Sequence, residues 1–142
     1  MQPIFTLPMV VRDYECDIQG IVNNAVYQHY NEHCRSCFIA SLGIEFADLH
    51  ERGIDVVVAQ LNMRFKTSLR PGDKFEVRLT LEKQGLRYVF HQDIVRLADE
   101  KRALKDSSYQ KEVLSLRAQT DIVAITNGHL SDCPELNEKF GL

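Results

Sequence analysis

No stretch of this 142-residue chain approaches the roughly 18 consecutive apolar residues that a membrane-spanning helix needs, so a membrane partner is not expected. The start, Met1-Gln2-Pro3-Ile4-Phe5-Thr6-Leu7, lacks the basic region and long apolar core of a secretory signal, and the expected location is cytoplasmic. An excess of positive charge is missing as well: 17 Lys and Arg stand against 20 Asp and Glu. That balance gives no reason to expect nucleic acid as a partner. The four cysteines, Cys16, Cys34, Cys37 and Cys133, fall at irregular intervals with no disulfide framework in their spacing, and they read as free thiols. Repeats, low-complexity tracts and linkers are absent too, and the length leaves no room for two ordinary domains. What is present, 44% hydrophobic and 26% charged residues, is the mixture of a soluble globular protein, expected as one domain over residues 1–142.

Apolar periodicity divides the chain into a short extended start, one helix and a run of strands. Phe5, Leu7, Met9 and Val11 recur at period two and predict a strand between Ile4 and Tyr14. After a turn at Gln19-Gly20, the positions Tyr27, Tyr30, Cys34, Cys37 and Phe38 share one side of a helical wheel. They predict a helix from Asn24 to about Leu42, capped by Asn23 or Asn24 and ended at Gly43. Such a helix is roughly 27 Å long at 1.5 Å per residue. Strands are expected over Ile54–Phe65, Phe75–Glu82, Tyr88–Arg96 and Val113–Ile125. The turns Arg70-Pro71-Gly72-Asp73 and Gln84-Gly85 separate the first three. The charged segment from Asp99 to Lys111 reads as a solvated loop or hairpin end, and Pro134 to Phe140 as a short terminal helix. Tight turns between strands imply an antiparallel sheet, hence an α+β domain whose curved sheet wraps one long helix.

The segment that joins the first strand to the helix carries the chemistry. Asp17 stands just ahead of a glycine-containing loop, and the helix begins a few residues later. Unpaired amides at a helix start form a positive, donor-rich pocket. A carboxylate beside them can activate water or attack an electrophile while the amides hold a developing oxyanion. Base plus oxyanion donor is the requirement of acyl transfer. On spacing alone, a turn-capping role for Asp17 and a turn-permitting role for Gly20 are the plainer reading, because Asp and Gly are common in loops.

The pattern Asp17-x-x-Gly20-Ile21-Val22-x-Asn24-x-x-Tyr27, followed by Glu32 and Arg35, resembles the hotdog-fold acyl-CoA thioesterases of the 4-hydroxybenzoyl-CoA thioesterase type. The later Arg70-Pro71-Gly72-Asp73 turn and Phe75-Glu76-Val77 fit the same family in order and distance. The resemblance implies a hotdog fold, an antiparallel sheet around one central helix. It also implies a homodimer with sheets joined edge to edge and active sites at the interface, often extended to a homotetramer. Asp17 is then the catalytic carboxylate, acting as nucleophile or general base. The backbone amide of Asn24 points at the thioester carbonyl, and Gly20 lets the loop approach the substrate. Val22 and Tyr27 belong to the implied substrate site. Arg64, Lys66, Arg70 and Arg87 are candidates for the phosphates of coenzyme A. Related enzymes carry His where Ile21 stands, so a role resting on that His has no counterpart here. No metal or organic cofactor is implied, because thiolate leaves readily. The expected substrate is an acyl-CoA or an acyl-carrier-protein thioester, and a non-catalytic hotdog subunit that binds acyl thioesters is the alternative.

Two other motifs compete with this reading. His29-Tyr30-Asn31-Glu32-His33 matches the H-x-x-E-H zinc-protease signature, but strands rather than a second helix follow it. Cys34-Arg35-Ser36-Cys37 is a C-x-x-C placed in mid-helix on the apolar side, where a redox dithiol is not stabilised.

Overall fold

The computed structural model describes residues 2–142. Six antiparallel strands form one curved sheet: β1 (Phe5–Val10), β2 (Ile54–Phe65), β3 (Lys74–Gln84), β4 (Arg87–Arg96), β5 (Val113–Thr126) and β6 (His129–Ser131). Their order is β1-β3-β4-β5-β2, with β6 added to β5. The helix α1 (Asn24–Ser41) crosses the concave face. Register explains that curvature as a packed layer. Leu7, Val77, Ile94, Leu116 and Phe65 pair in succession and form one apolar row across five strands. Side chains alternate faces along a strand, so Glu76, Arg78, Thr80 and Glu82 of β3 look outward beside His91, Asp93, Arg117 and Gln119.

α1 answers the row with its own apolar stripe. Tyr30 packs on Phe75 with ring centroids 4.7 Å apart, Phe38 lies 5.6 Å from Phe5, and Tyr27 meets Phe65 at 5.5 Å. Cys34 is buried between them. Of the two candidate caps, Asn23 does the work: its side chain accepts from the Ala25 amide. The helix ends at Ser41, with Leu42 as its cap and Gly43 next.

Several elements depart from the sequence-based expectation. The first strand stops at Val10, and Asp13–Glu15 form a 3₁₀ turn. A short helix α2 (Phe46–Glu51) precedes β2 and buries only Leu49, too short to announce itself by periodicity. The segment from Asp99 to Lys111 is not a solvated loop. It forms α3 (Glu100–Ala103) and a 3₁₀ turn over Ser107–Gln110, and Tyr109 within it is buried. Its anchor is Asp73, a fully buried carboxylate. Asp73 accepts from the Arg102 guanidinium, the Tyr109 hydroxyl and the Arg70 amide. Arg96 stacks on the Tyr109 ring at 4.0 Å. Gly72 is required here, because a Cβ at its φ of 80° would run into the Arg102 guanidinium. The terminal helix α4 (Pro134–Phe140) closes the far end of the core through Leu136 and through Phe140, which contacts Phe38, Tyr88 and Phe90.

Two measurements follow. Asp73→Ala strands the groups that converge on a buried anion and is expected to destabilise the chain by about 3 kcal/mol or more in urea unfolding; a loss below about 1 kcal/mol would contradict the anchoring role. Tyr88 is buried with its hydroxyl against the Cys133 carbonyl, and burial foremost pushes its phenol up to about 12. The unfolded phenol titrates near about 10, so the folded chain keeps this proton longer. The resulting stability is full below about pH 10 and is lost as pH rises toward about 12. Urea midpoints should fall above about pH 10, and less steeply in Tyr88→Phe.

Candidate active site

The loop that carries Asp17 is a closed knot of backbone hydrogen bonds. Cys16 and Val22 form an isolated antiparallel bridge. Inside it, the Asp17 amide donates to Ile21 O (2.9 Å) and the Gly20 amide to Asp17 O (3.0 Å). The Gln19 amide donates to Asp17 Oδ1 at 2.8 Å, so one carboxylate oxygen is used in orienting the group. Asp17 Oδ2 has no hydrogen-bond partner among the described residues. Gly20 takes φ of 75° with nothing within 4 Å of a would-be Cβ. The conformation, not crowding, asks for glycine.

Two anchors fix this loop against the fold. Leu69, fully buried, accepts from the Val22 amide through its carbonyl (2.9 Å) and donates its own amide to the Tyr27 hydroxyl (2.9 Å). Glu15, 9% exposed, accepts from the Tyr30 hydroxyl at 2.9 Å and from the Arg12 amide at 2.8 Å, while its carbonyl accepts from the Asn23 amide at 3.0 Å. Burial, followed by this hydrogen bond, raises the Tyr30 pKa and keeps the phenol a donor. Neither anchor was anticipated. Glu15 stands in a polar run, where its burial has no sequence signature, and Leu69 only precedes a recognisable turn.

At the start of α1 the amide accounting leaves one donor free. The Ala25 amide donates to Asn23 Oδ1 (3.0 Å) and the Val26 amide to Asn23 O (2.9 Å). The Asn24 amide, at the first helical position, has no partner among the described residues. It follows the Asp17 loop on the same rigid unit and is aligned with the positive end of an 18-residue helix. A carboxylate and a free main-chain donor so arranged can serve water activation and oxyanion binding together.

The remaining expected site residues divide. Val22 is 2% and Tyr27 3% exposed, and both act as anchors of the loop rather than as open walls. Lys66 follows Phe65, the neighbour of Tyr27, and its amide donates to Ser115 O at 2.8 Å, so its exposed side chain stands at the loop's end of the sheet. Arg70 is exposed beside Leu69. Arg64 alternates with Met63 and Phe65 and therefore lies on the convex side, opposite Arg117. Arg87 is farther still. It pairs with Asp121 at 2.8 Å, and its register partner Val123 is seven residues along β5 from Leu116, the partner of Phe65. At about 3.3 Å per residue that is roughly 23 Å. Within one chain, then, Lys66 and Arg70 are brought toward the loop and Arg64 and Arg87 are not.

His29 and His33 are exposed on α1, and the described residues gather no group of three metal-ligating side chains. Burial pushes the Cys34 thiol up to about 11, which disfavours the thiolate a redox dithiol needs.

The curved sheet around a central helix is the hotdog fold. The structure of a 1,4-dihydroxy-2-naphthoyl-CoA thioesterase from Synechocystis superimposes with a TM-score of 0.80 at 18% identity, over 96% of this chain and 95% of that one, a likeness of fold. The sequence matches the thioesterase superfamily over residues 19–102, more than half of the chain, and the chain belongs to that superfamily. The match begins just beyond Asp17. Two chloroplastic acyl-acyl carrier protein thioesterases of Arabidopsis thaliana, ATL3 and ATL2, are 41% and 35% identical over 78 and 100 residues. These alignments cover 55% and 70% of this chain and 41% and 53% of the relatives. The chain thus spans about half the length of the curated relatives it matches.

The Glu15–Tyr30 contact is open to a double-mutant cycle. Tyr30→Phe leaves a buried carboxylate short of a donor and should cost about 1–3 kcal/mol. With Glu15→Gln added, the losses should fall short of additive by about 1 kcal/mol. Strict additivity in urea titrations would remove this anchor.

Proposed function

We propose that this chain hydrolyses the thioester bond of an acyl-CoA to a free acid and coenzyme A. The observation that carries the reading is the unpaired Asn24 amide on the same clamped loop–helix unit as Asp17. The thioester oxygen accepts from that amide. Asp17 takes a proton from water as the water oxygen bonds to the carbonyl carbon, or attacks that carbon itself, in which case loss of the thiolate leaves a mixed anhydride that water then hydrolyses to the free acid and the Asp17 carboxylate. The tetrahedral oxyanion collapses, the carbon–sulfur bond breaks, and the thiolate leaves without a strong general acid. The chemistry calls for no metal or organic cofactor. A carrier-protein thioester is the second substrate reading, favoured by the names of the two Arabidopsis relatives.

The working form is a homodimer in this reading, with a homotetramer as an extension. β2 ends the sheet and exposes Val57, Val58, Leu61 and Phe65, an apolar edge suited to a second copy. Arg70 and Lys66 are the preferred candidates for the nucleotide phosphates. Among the described residues no helix is long and apolar enough to cross a membrane. A cytoplasmic setting is proposed.

Thiol release from short, medium, long and aromatic acyl-CoAs tests the reading. Asp17→Asn should keep fold and oligomer and lose about 10²-fold or more in turnover. Asn24→Pro is sharper, since it removes the main-chain N–H and otherwise changes only an exposed side chain. The first helical position accepts proline, and Asn23 already holds the extended conformation, φ −63° and ψ 140°, that a following proline demands. Its expected loss is about 10²–10³-fold. Full activity in Asp17→Asn would sink the mechanism. Turnover of carrier-protein thioesters alone would move the substrate to that class.

A further inference from the structure

Gln92 on β4 and Thr120 on β5 interrupt an otherwise apolar concave face, and α1 sets two more polar side chains against them. Arg35, 8% exposed, donates through Nη1 to Gln92 Oε1 (3.0 Å) and Thr120 Oγ1 (3.3 Å). Its Nε and Nη2 make no hydrogen bond among the described residues, and it forms no ion pair with any of their carboxylates. One turn earlier Asn31 is 1% exposed, and neither its Oδ1 nor its Nδ2 has a partner among the described residues. Only its backbone is engaged, accepting from Gln92 Nε2 at 2.9 Å. A cation whose nearby carboxylate, Glu32, forms no ion pair with it and an amide without a hydrogen bond are both costly inside a fold.

Their position gives them a use. α1 packs mainly on β1 and β3, and toward β2 it leaves a crevice of about 120 Å³ walled by Glu32, Arg35, Ile39, Phe46, Val56 and Ile122; Asn31, one turn before Arg35 on the same helix face, lies outside that wall. Along the helix axis Asn31 lies about 10 Å and Arg35 about 16 Å beyond the Asn24 amide. We infer that Asn31 and Arg35 form a specificity subsite for the distal part of the acyl group, taking a hydroxyl, keto or carboxylate oxygen there. The inference rests on the proposed docking of the thioester carbonyl at Asn24. Chemistry selects the oxygen: Arg35 offers only donors, Asn31 a donor and an acceptor, and a plain alkyl chain would leave all of them unpaired.

Binding without turnover tests this. The probes are non-hydrolysable ketone analogues of decanoyl-, ω-hydroxydecanoyl- and sebacoyl-CoA, in which a methylene separates sulfur from the carbonyl, titrated calorimetrically into the full chain. The oxygenated analogues should bind about tenfold more tightly than the decanoyl one. Asn31→Leu and Arg35→Met, which replace unpaired buried groups by apolar ones of similar size, should keep the fold and abolish the difference. Equal affinities in the parent chain, a preference that survives both substitutions, or no binding of any analogue would overturn the subsite. So would equal affinities accompanied by a change of molecular mass in Asn31→Leu, which would assign these groups to contacts with a second copy. Thioester turnover that ignores Asp17→Asn would instead defeat the proposed mechanism and leave the binding result standing.

Discussion

Leu69 contributes two backbone hydrogen bonds, and the architecture of the site depends on where they go. Its carbonyl holds Val22 at the end of the Asp17 loop, and its amide holds the hydroxyl of Tyr27 on the first turn of α1. One residue thus sets the loop and the helix start relative to each other. Leu69 is itself fixed by complete burial and by the turn that follows. There Gly72 and Asp73 exchange hydrogen bonds with Val11 at the end of the first strand. Sheet, turn, loop and helix start are therefore one mechanical unit, and the proposed chemistry needs that rigidity because a main-chain donor cannot swing to find its substrate.

The same unit explains why a charged segment folds down onto the body. Asp73 draws Arg102 and Tyr109 to itself, and Arg96 stacks over the same ring. A run of Lys, Arg, Asp and Glu suggests a solvated loop when read for composition, but one buried carboxylate reverses that. Its hydrogen bonds come from three directions, two of them from residues 29 and 36 positions away, and no local pattern records them.

This contrast marks how far the sequence was legible. Alternating apolar positions in β3 and β-branched or apolar runs in β2, β4 and β5 mark the strands, so β2 to β5 and the extent of α1 could be read within a residue or two. Asp17, Gly20 and Asn24 were found because a family motif joins them, and the free Asn24 amide follows from helix-end accounting once Asn23 is known to be the cap. Glu15, Leu69 and Asp73 were not found, since their roles arise from long-range burial. Arg64 and Arg87 were candidates from their position on strands or turns, and within one chain strand register sets them on the convex side or at the distant end of the sheet.

Asn24 offers its main chain to the proposed chemistry and turns an exposed side chain outward. An oxyanion donor of this kind is indifferent to almost every substitution at its own position. Position 24 is therefore free to drift, or to be recruited for recognition at the mouth of the site, while the donor is inherited unchanged. The helix end, rather than any one amino acid, is the heritable part of the device.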